Sequence, residues 1–219
     1  NVAMDVVRML ARAPEELVET DIADYALEAL RHSQVKEILI LGRRGPVQTK
    51  FTHAELKELG ELANADIIVD PSELELDPLS EEYLHSGEDR SAERNYVTLQ
   101  EFAHTPAQGR PRRIIMRFLV SPVEILGDQH VEALRVVHNQ ICEREHFLSP
   151  CPTEDFETIP VGLVFRSIGY HGVPLPGVPF DRKHGVIPNF EGRVQDEIGA
   201  TQPGDYVVGW IKRGPSGII

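Results

Sequence analysis

Cysteine is nearly absent: Cys142 and Cys151 are the only two among 219 residues, which excludes the disulfide-dense scaffold of a small secreted domain. No CxxC occurs. His138 and His146 flank Cys142, but the spacing lacks the tight ligand grouping that zinc takes, so no metal site is expected. Ser121, Ser149 and Ser216 all lie outside any GxSxG elbow, which argues against serine hydrolysis. Basic residues are outnumbered, 22 against 35 acidic ones, and the formal charge of -13 argues against a nucleic-acid binder, whose footprint is basic. No run approaches the roughly 18 consecutive apolar residues of a membrane span. No secretory signal pattern, internal repeat or low-complexity tract is visible. What remains is 41% hydrophobic, enough for a sizeable core in one or two domains.

The hydrophobic pattern is α/β at the front. Val2, Val6, Met9 and Leu10 recur at helical spacing over residues 1–13, and Pro14 stops the run. A second helix starts at Thr20 or Asp21 and runs through Leu30. Residues 37–41 (EILIL) read as a buried parallel strand, and residues 65–69 (ADIIV) as the next. Between them, Thr52 and Glu55 have capping-box spacing ahead of a helix through Leu62. From Pro71 to Pro111 the pattern is poor, with helical pieces at 80–84 and 96–102. Fourteen acidic and three basic residues lie between Glu55 and Glu101; they suit a solvated face, with a docking patch for a basic partner as the sharper alternative. Strands are predicted at 113–120 and 131–137 around a turn at Gly127 and Asp128, within 161–169, and at 206–210. A compositional boundary falls near 170–174, after which glycine and proline recur and regular structure thins.

Four places invite a chemical reading, each with a plainer alternative. Gly42-Arg43-Arg44-Gly45-Pro46 follows a strand, at the edge where open α/β sheets bind ligands. Two guanidinium forks there suit a nucleotide 2′-phosphate, where an NAD enzyme would place a carboxylate; an ordinary basic turn is the alternative. Asn1 and Val2 open a helix whose amino terminus would suit a pyrophosphate, or which is simply a surface helix. Glu55 would either cap its helix or point toward a nicotinamide. Trp210, among Gly209, Gly214 and Gly217, would stack on a flat ring or sit in the core beside a turn.

The opening NVAMDVVRML, the GRRGP string with Phe51-Thr52 and Glu55-Leu56 after it, residues 167–170 (SIGY), 178–181 (VPFD) and 185–189 (GVIPN), and the closing YVVGWIKRGPSGII together resemble the adrenodoxin-reductase type of ferredoxin–NADP reductases. The resemblance implies a Rossmann-like NADP-binding domain with additional antiparallel strands at residues 1–172, and an incomplete returning segment of an FAD-binding domain at 173–219. It also implies a flavoenzyme in which NADPH reduces FAD and electrons pass to a ferredoxin-type iron–sulfur protein. Carried over by position, Asn1 and Val2 would line the pyrophosphate, Arg43 and Arg44 would grip the 2′-phosphate, and Glu55 would approach the nicotinamide as a candidate catalytic group. Trp210, Gly217 and Ile218 would border the isoalloxazine. The family's FAD fingerprint and the glycines expected before Asn1 are missing, so this chain is expected to be a fragment that does not turn over by itself. A bacterial cytoplasmic setting is expected ahead of a mitochondrial matrix. The alternatives are a non-catalytic NADP-binding module and a flavoprotein subunit like the small subunit of glutamate synthase.

Overall fold

The computed structural model describes residues 2–144 and 147–214. The chain divides into two compact units, Asn1–Phe165 and Arg166–Ile219.

The first unit is built around a parallel three-stranded sheet in the order β1 (Glu37–Leu41), β3 (Arg112–Arg117), β2 (Ala65–Val69). Ile114 of the central strand lies beside Ile38 on one flank and Ile67 on the other. The EILIL string alternates across two interfaces. Ile38 and Ile40 join a core with helices α1 (Val2–Ala11), α3 (His53–Gly60) and α5 (Arg90–His104). Leu39 and Leu41 pack on a second cluster formed by Leu134, Val136 and Ile159. Those residues belong to an antiparallel sheet, β4 (Val120–Leu126), β5 (Ala133–Arg144) and β6 (Phe147–Pro160). Helices, parallel sheet and antiparallel sheet therefore form three layers, and a strand covered on both faces must be apolar throughout. This is a Rossmann-like α/β unit with added antiparallel strands.

Each helix is fixed by a local signal. In α1, Met4, Val7 and Ala11 share the buried face. Thr52 and Glu55 form the reciprocal capping box of α3, and Leu56 and Leu59 behind it are fully buried. The remaining first-unit helices are α2 (Asp24–Arg31) and α4 (Pro78–His85), the latter capped by Asp77. Asp89 caps α5, which is longer than the predicted 96–102 piece because this cap and the buried Ala92 extend it backward.

Two sequence expectations are corrected. Residues 161–169 hold no strand; Leu163, Phe165 and Ile168 are exposed. Among the strands not predicted, β4, β7, β8 and β6, the longest is β6, whose Pro150 and Pro152 lie opposite Ile141 and Asn139. Proline lacks a donor and is tolerated because β6 is an edge strand. Cys142 and Cys151 are joined as a disulfide across this hairpin, with Cα atoms 6.1 Å apart.

The second unit carries a small antiparallel sheet, β7 (Asn189–Phe190), β8 (Arg193–Gln195) and β9 (Thr201–Tyr206), over a core of Ile187, Val194 and Val207. The predicted strand at 206–210 is also corrected. β9 ends at Tyr206, and Gly209, with φ 71°, breaks the extended chain so that Trp210 opens a short helix, α6 (Trp210–Arg213). The ring of Tyr170 lies 5.4 Å from that of Trp210, and the Gly172 N–H donates to the Gly185 carbonyl at 3.1 Å. Those contacts place residues 170–172 with the second unit, so the structural division at Phe165 precedes the boundary read from composition.

Candidate functional site

The direction of α1 is set by bonds at its far end. Asn64, just before β2, donates through Nδ2 to the Ala11 carbonyl at 3.2 Å. The buried Arg112, first residue of β3, donates to the carbonyls of Leu10 and Arg12. The last turn of α1 is thereby tied to the amino ends of two strands. Its amino terminus, with Val2 exposed, points to the carboxyl edge of the sheet. The amino terminus of α3 lies at that edge too, because α3 connects the carboxyl end of β1 to the amino end of β2. Partial positive charge from two helix ends thus accumulates on one side of the sheet.

The loop after β1 emerges on the same side. Arg43 is exposed and Arg44 half-buried, and neither side chain has a hydrogen bond or ion pair among the described residues. Arg117, at the carboxyl end of β3, behaves in the opposite way. Its Nε donates to Glu73 at 2.6 Å, and its terminal nitrogens reach Glu157 at 3.2 and 3.0 Å. Glu73 also accepts the Phe118 N–H at 2.6 Å, and His138 Nε2 lies 3.4 Å from Glu157. The Arg117 bonds hold the Glu157 carboxyl below the usual carboxylate range against the opposing effect of burial. Of these three arginines, Arg117 has its charge met by Glu73 and Glu157, while Arg43 and Arg44 have no such partner among the described residues.

Glu55 caps α3. Its Oε2 accepts the Thr52 N–H at 2.6 Å and the Thr52 hydroxyl at 2.9 Å. Val2, Arg43, Arg44 and Glu55 are therefore brought to one edge of the first unit. Trp210, 38% exposed beside Tyr170, belongs to the second unit. Asn1, Gly217 and Ile218 lie outside the described residues. Sequence reasoning missed Arg117, Glu73, Glu157 and Asn139. Their partners are distant in the chain, and no local motif marks them. Among the described residues, no group of three or more His, Cys, Asp or Glu side chains is placed to hold a metal ion, and no helix is long and apolar enough to cross a membrane.

A parallel sheet whose carboxyl edge gathers two helix amino termini and two arginines unpaired among the described residues fits the dinucleotide-binding class of α/β domain. No family model matches the chain. Individual proteins do. The chain is 42% identical, over its whole length, to NADPH-ferredoxin reductase FprA of Mycobacterium tuberculosis, and covers 46% of that protein. It is 43% identical to the Mycobacterium leprae protein of the same name, and 40% identical to human mitochondrial NADPH:adrenodoxin oxidoreductase, again over its whole length and covering 46% and 45% of them. The solved structure of M. tuberculosis FprA in complex with NADPH superposes with a TM-score of 0.90, across 99% of this chain and 46% of that one. By sequence and by fold, the chain is similar over its whole length to these reductases, and it spans about half of theirs.

Proposed function

We propose that the chain is part of a flavoenzyme oxidoreductase that moves electrons from NADPH through FAD to a ferredoxin-type iron–sulfur protein. In this reading the first unit is the NADP-binding domain and the second contributes to the FAD-binding domain. The observation that carries it is the pair Arg43 and Arg44, without a partner among the described residues at the carboxyl edge of the sheet, in a chain that matches NADPH reductases throughout.

Arg43 and Arg44 would grip the 2′-phosphate with two guanidinium forks. Val2, with Asn1, would present the α1 amino terminus to the pyrophosphate. Glu55 would approach the nicotinamide; its Oε2 is engaged by Thr52, so its part in catalysis is one of placement rather than proton transfer through that atom. In the second unit, the paired rings of Trp210 and Tyr170 offer an aromatic surface that fits a flat heterocycle; Gly217 and Ile218, outside the described residues, would border the isoalloxazine. Bound FAD supplies the chemistry these side chains lack, accepting a hydride and releasing electrons singly. The identities to mycobacterial relatives support a bacterial cytoplasmic setting over a mitochondrial one.

The test is made on the complete gene product, beside this 219-residue chain. The expected result is a yellow protein with a bound-flavin spectrum that reduces cytochrome through ferredoxin when given NADPH. A colourless protein that binds NADP without turnover would replace this reading with that of a nucleotide-binding module.

A further inference from the structure

The backbone beneath the two arginines is held at four consecutive peptide planes. The Gly42 N–H donates to the Arg117 carbonyl at 2.8 Å, and the Gly42 carbonyl accepts from Val120 N–H at 3.0 Å. The Arg43 carbonyl accepts from Asn139 Nδ2 at 2.9 Å, and the Arg44 carbonyl accepts from Leu119 N–H at 3.1 Å. A residue's φ and ψ are the rotations between the planes on either side of it. Arg43 is therefore fixed between its plane with Gly42 and its plane with Arg44, and Arg44 between that same plane and the next. The shared plane controls both arginines, and the bond that holds it comes from Asn139.

Asn139 is placed for this contact. It is 7% exposed and lies at the break in the β5–β6 register after Val137. Its backbone N–H donates to the Leu119 carbonyl at 2.6 Å, and its Nδ2 also donates to Ser121 Oγ at 2.8 Å. Both hydrogens of a buried amide are thus used, one on its own sheet and one on the arginine loop. Leu119 adopts φ 53°, a left-handed conformation uncommon for leucine, and this turn serves Arg44 through its N–H and Asn139 through its carbonyl. The strain is spent where the arginine loop meets the second sheet.

We propose that Asn139 is a positioning residue for nucleotide selection: through the Arg43 carbonyl it sets the direction in which both arginines leave the backbone, and so the preference for a 2′-phosphorylated nucleotide. This rests on the reading that Arg43 and Arg44 bind that phosphate. Without the bond the shared plane rotates, and each guanidinium must be ordered at the expense of binding. NAD, which lacks the phosphate, would not register the change.

The experiment titrates the 219-residue chain with NADP⁺ and with NAD⁺, in wild type, N139A and S121A. N139A is expected to weaken NADP⁺ binding about tenfold, the scale of one hydrogen bond, and to leave NAD⁺ within about twofold. S121A removes the other acceptor of Asn139 Nδ2 but keeps the contact to Arg43, and is expected to retain the wild-type ratio. A purely structural role would weaken both nucleotides alike. Wild-type chain that prefers NADP⁺, with N139A keeping that preference or S121A losing it equally, overturns the inference. Equal affinity of the wild type for both nucleotides overturns instead the reading of the arginines. If N139A does not fold, the side-chain amide resonance of Asn139 in wild type decides. It is expected to shift with adenosine 2′,5′-bisphosphate and not with adenosine 5′-monophosphate, and no difference between the two overturns the proposal.

Discussion

Arg117 and Glu157 meet through two parallel hydrogen bonds, 3.2 and 3.0 Å long, that tie the end of the parallel sheet to the edge strand of the antiparallel one. Their side chains are 22% and 38% exposed, so the pair has the modest value of a solvent-screened ion pair, roughly 0.5–1 kcal/mol. The carboxyl of Glu157 titrates below its ordinary value, chiefly because Arg117 donates to it. A group depressed in this way stabilises the fold above its unfolded pKa and loses that contribution as pH falls through the folded one. Urea melts of wild type and E157Q are therefore expected to differ most at neutral pH. The gap should close as pH falls below about 4, in the ordinary carboxylate range and under it. A gap independent of pH would show that Glu157 acts by packing alone.

Thr52 separates capping from ligand binding. Thr52→Ala removes the acceptor for the Glu55 N–H, bonded at 3.2 Å, and is expected to cost about 1 kcal/mol of stability. NADP⁺ affinity measured by calorimetry should stay within about twofold, well under the 1.4 kcal/mol of a tenfold change. A larger loss of affinity at unchanged stability would place Thr52 itself at the ligand.

These features were unequally visible in the sequence. The β1 string and the Thr52–Glu55 box are local signals, each a few residues long, and each is legible. The edge strand β6 was hidden because its prolines oppose strand propensity and are tolerated only where one side of the ladder is unused. The apolar pattern predicts a strand ending at Trp210 because it continues up to that residue, while the turn depends on the backbone of Gly209. Asn139 and Arg117 act on partners 96 and 40 residues away. Their role exists only once β5 and β6 cross the end of the parallel sheet, which no local pattern encodes.

The second unit is expected to be the less stable part of the isolated chain. Its core is Ile187, Val194 and Val207, while Ile198, Val208 and Tyr206 are 89%, 80% and 72% exposed. Amides of β7, β8 and β9 should exchange with deuterium at least about 100-fold faster than those of Ile38 and Ile40. Equal protection would mean that this unit is stable by itself.

The isolated chain with excess FAD is expected to reduce ferricyanide with NADPH more than about tenfold slower than the full-length enzyme, a barrier difference above about 1.4 kcal/mol. The chain spans about half the length of the reductases it resembles. Rates within tenfold of each other, above the free-flavin background, would show that this chain suffices for turnover.

The most direct measurement is calorimetric titration of wild type, R43A and R44A with NADP⁺ and NAD⁺. A hydrogen bond to a charged group contributes about 1.5–3 kcal/mol, so either substitution should weaken NADP⁺ binding about tenfold or more and leave NAD⁺ nearly unchanged. Wild-type chain that binds the two nucleotides equally, or arginine variants that lose both to the same extent, would contradict 2′-phosphate recognition at this edge of the sheet.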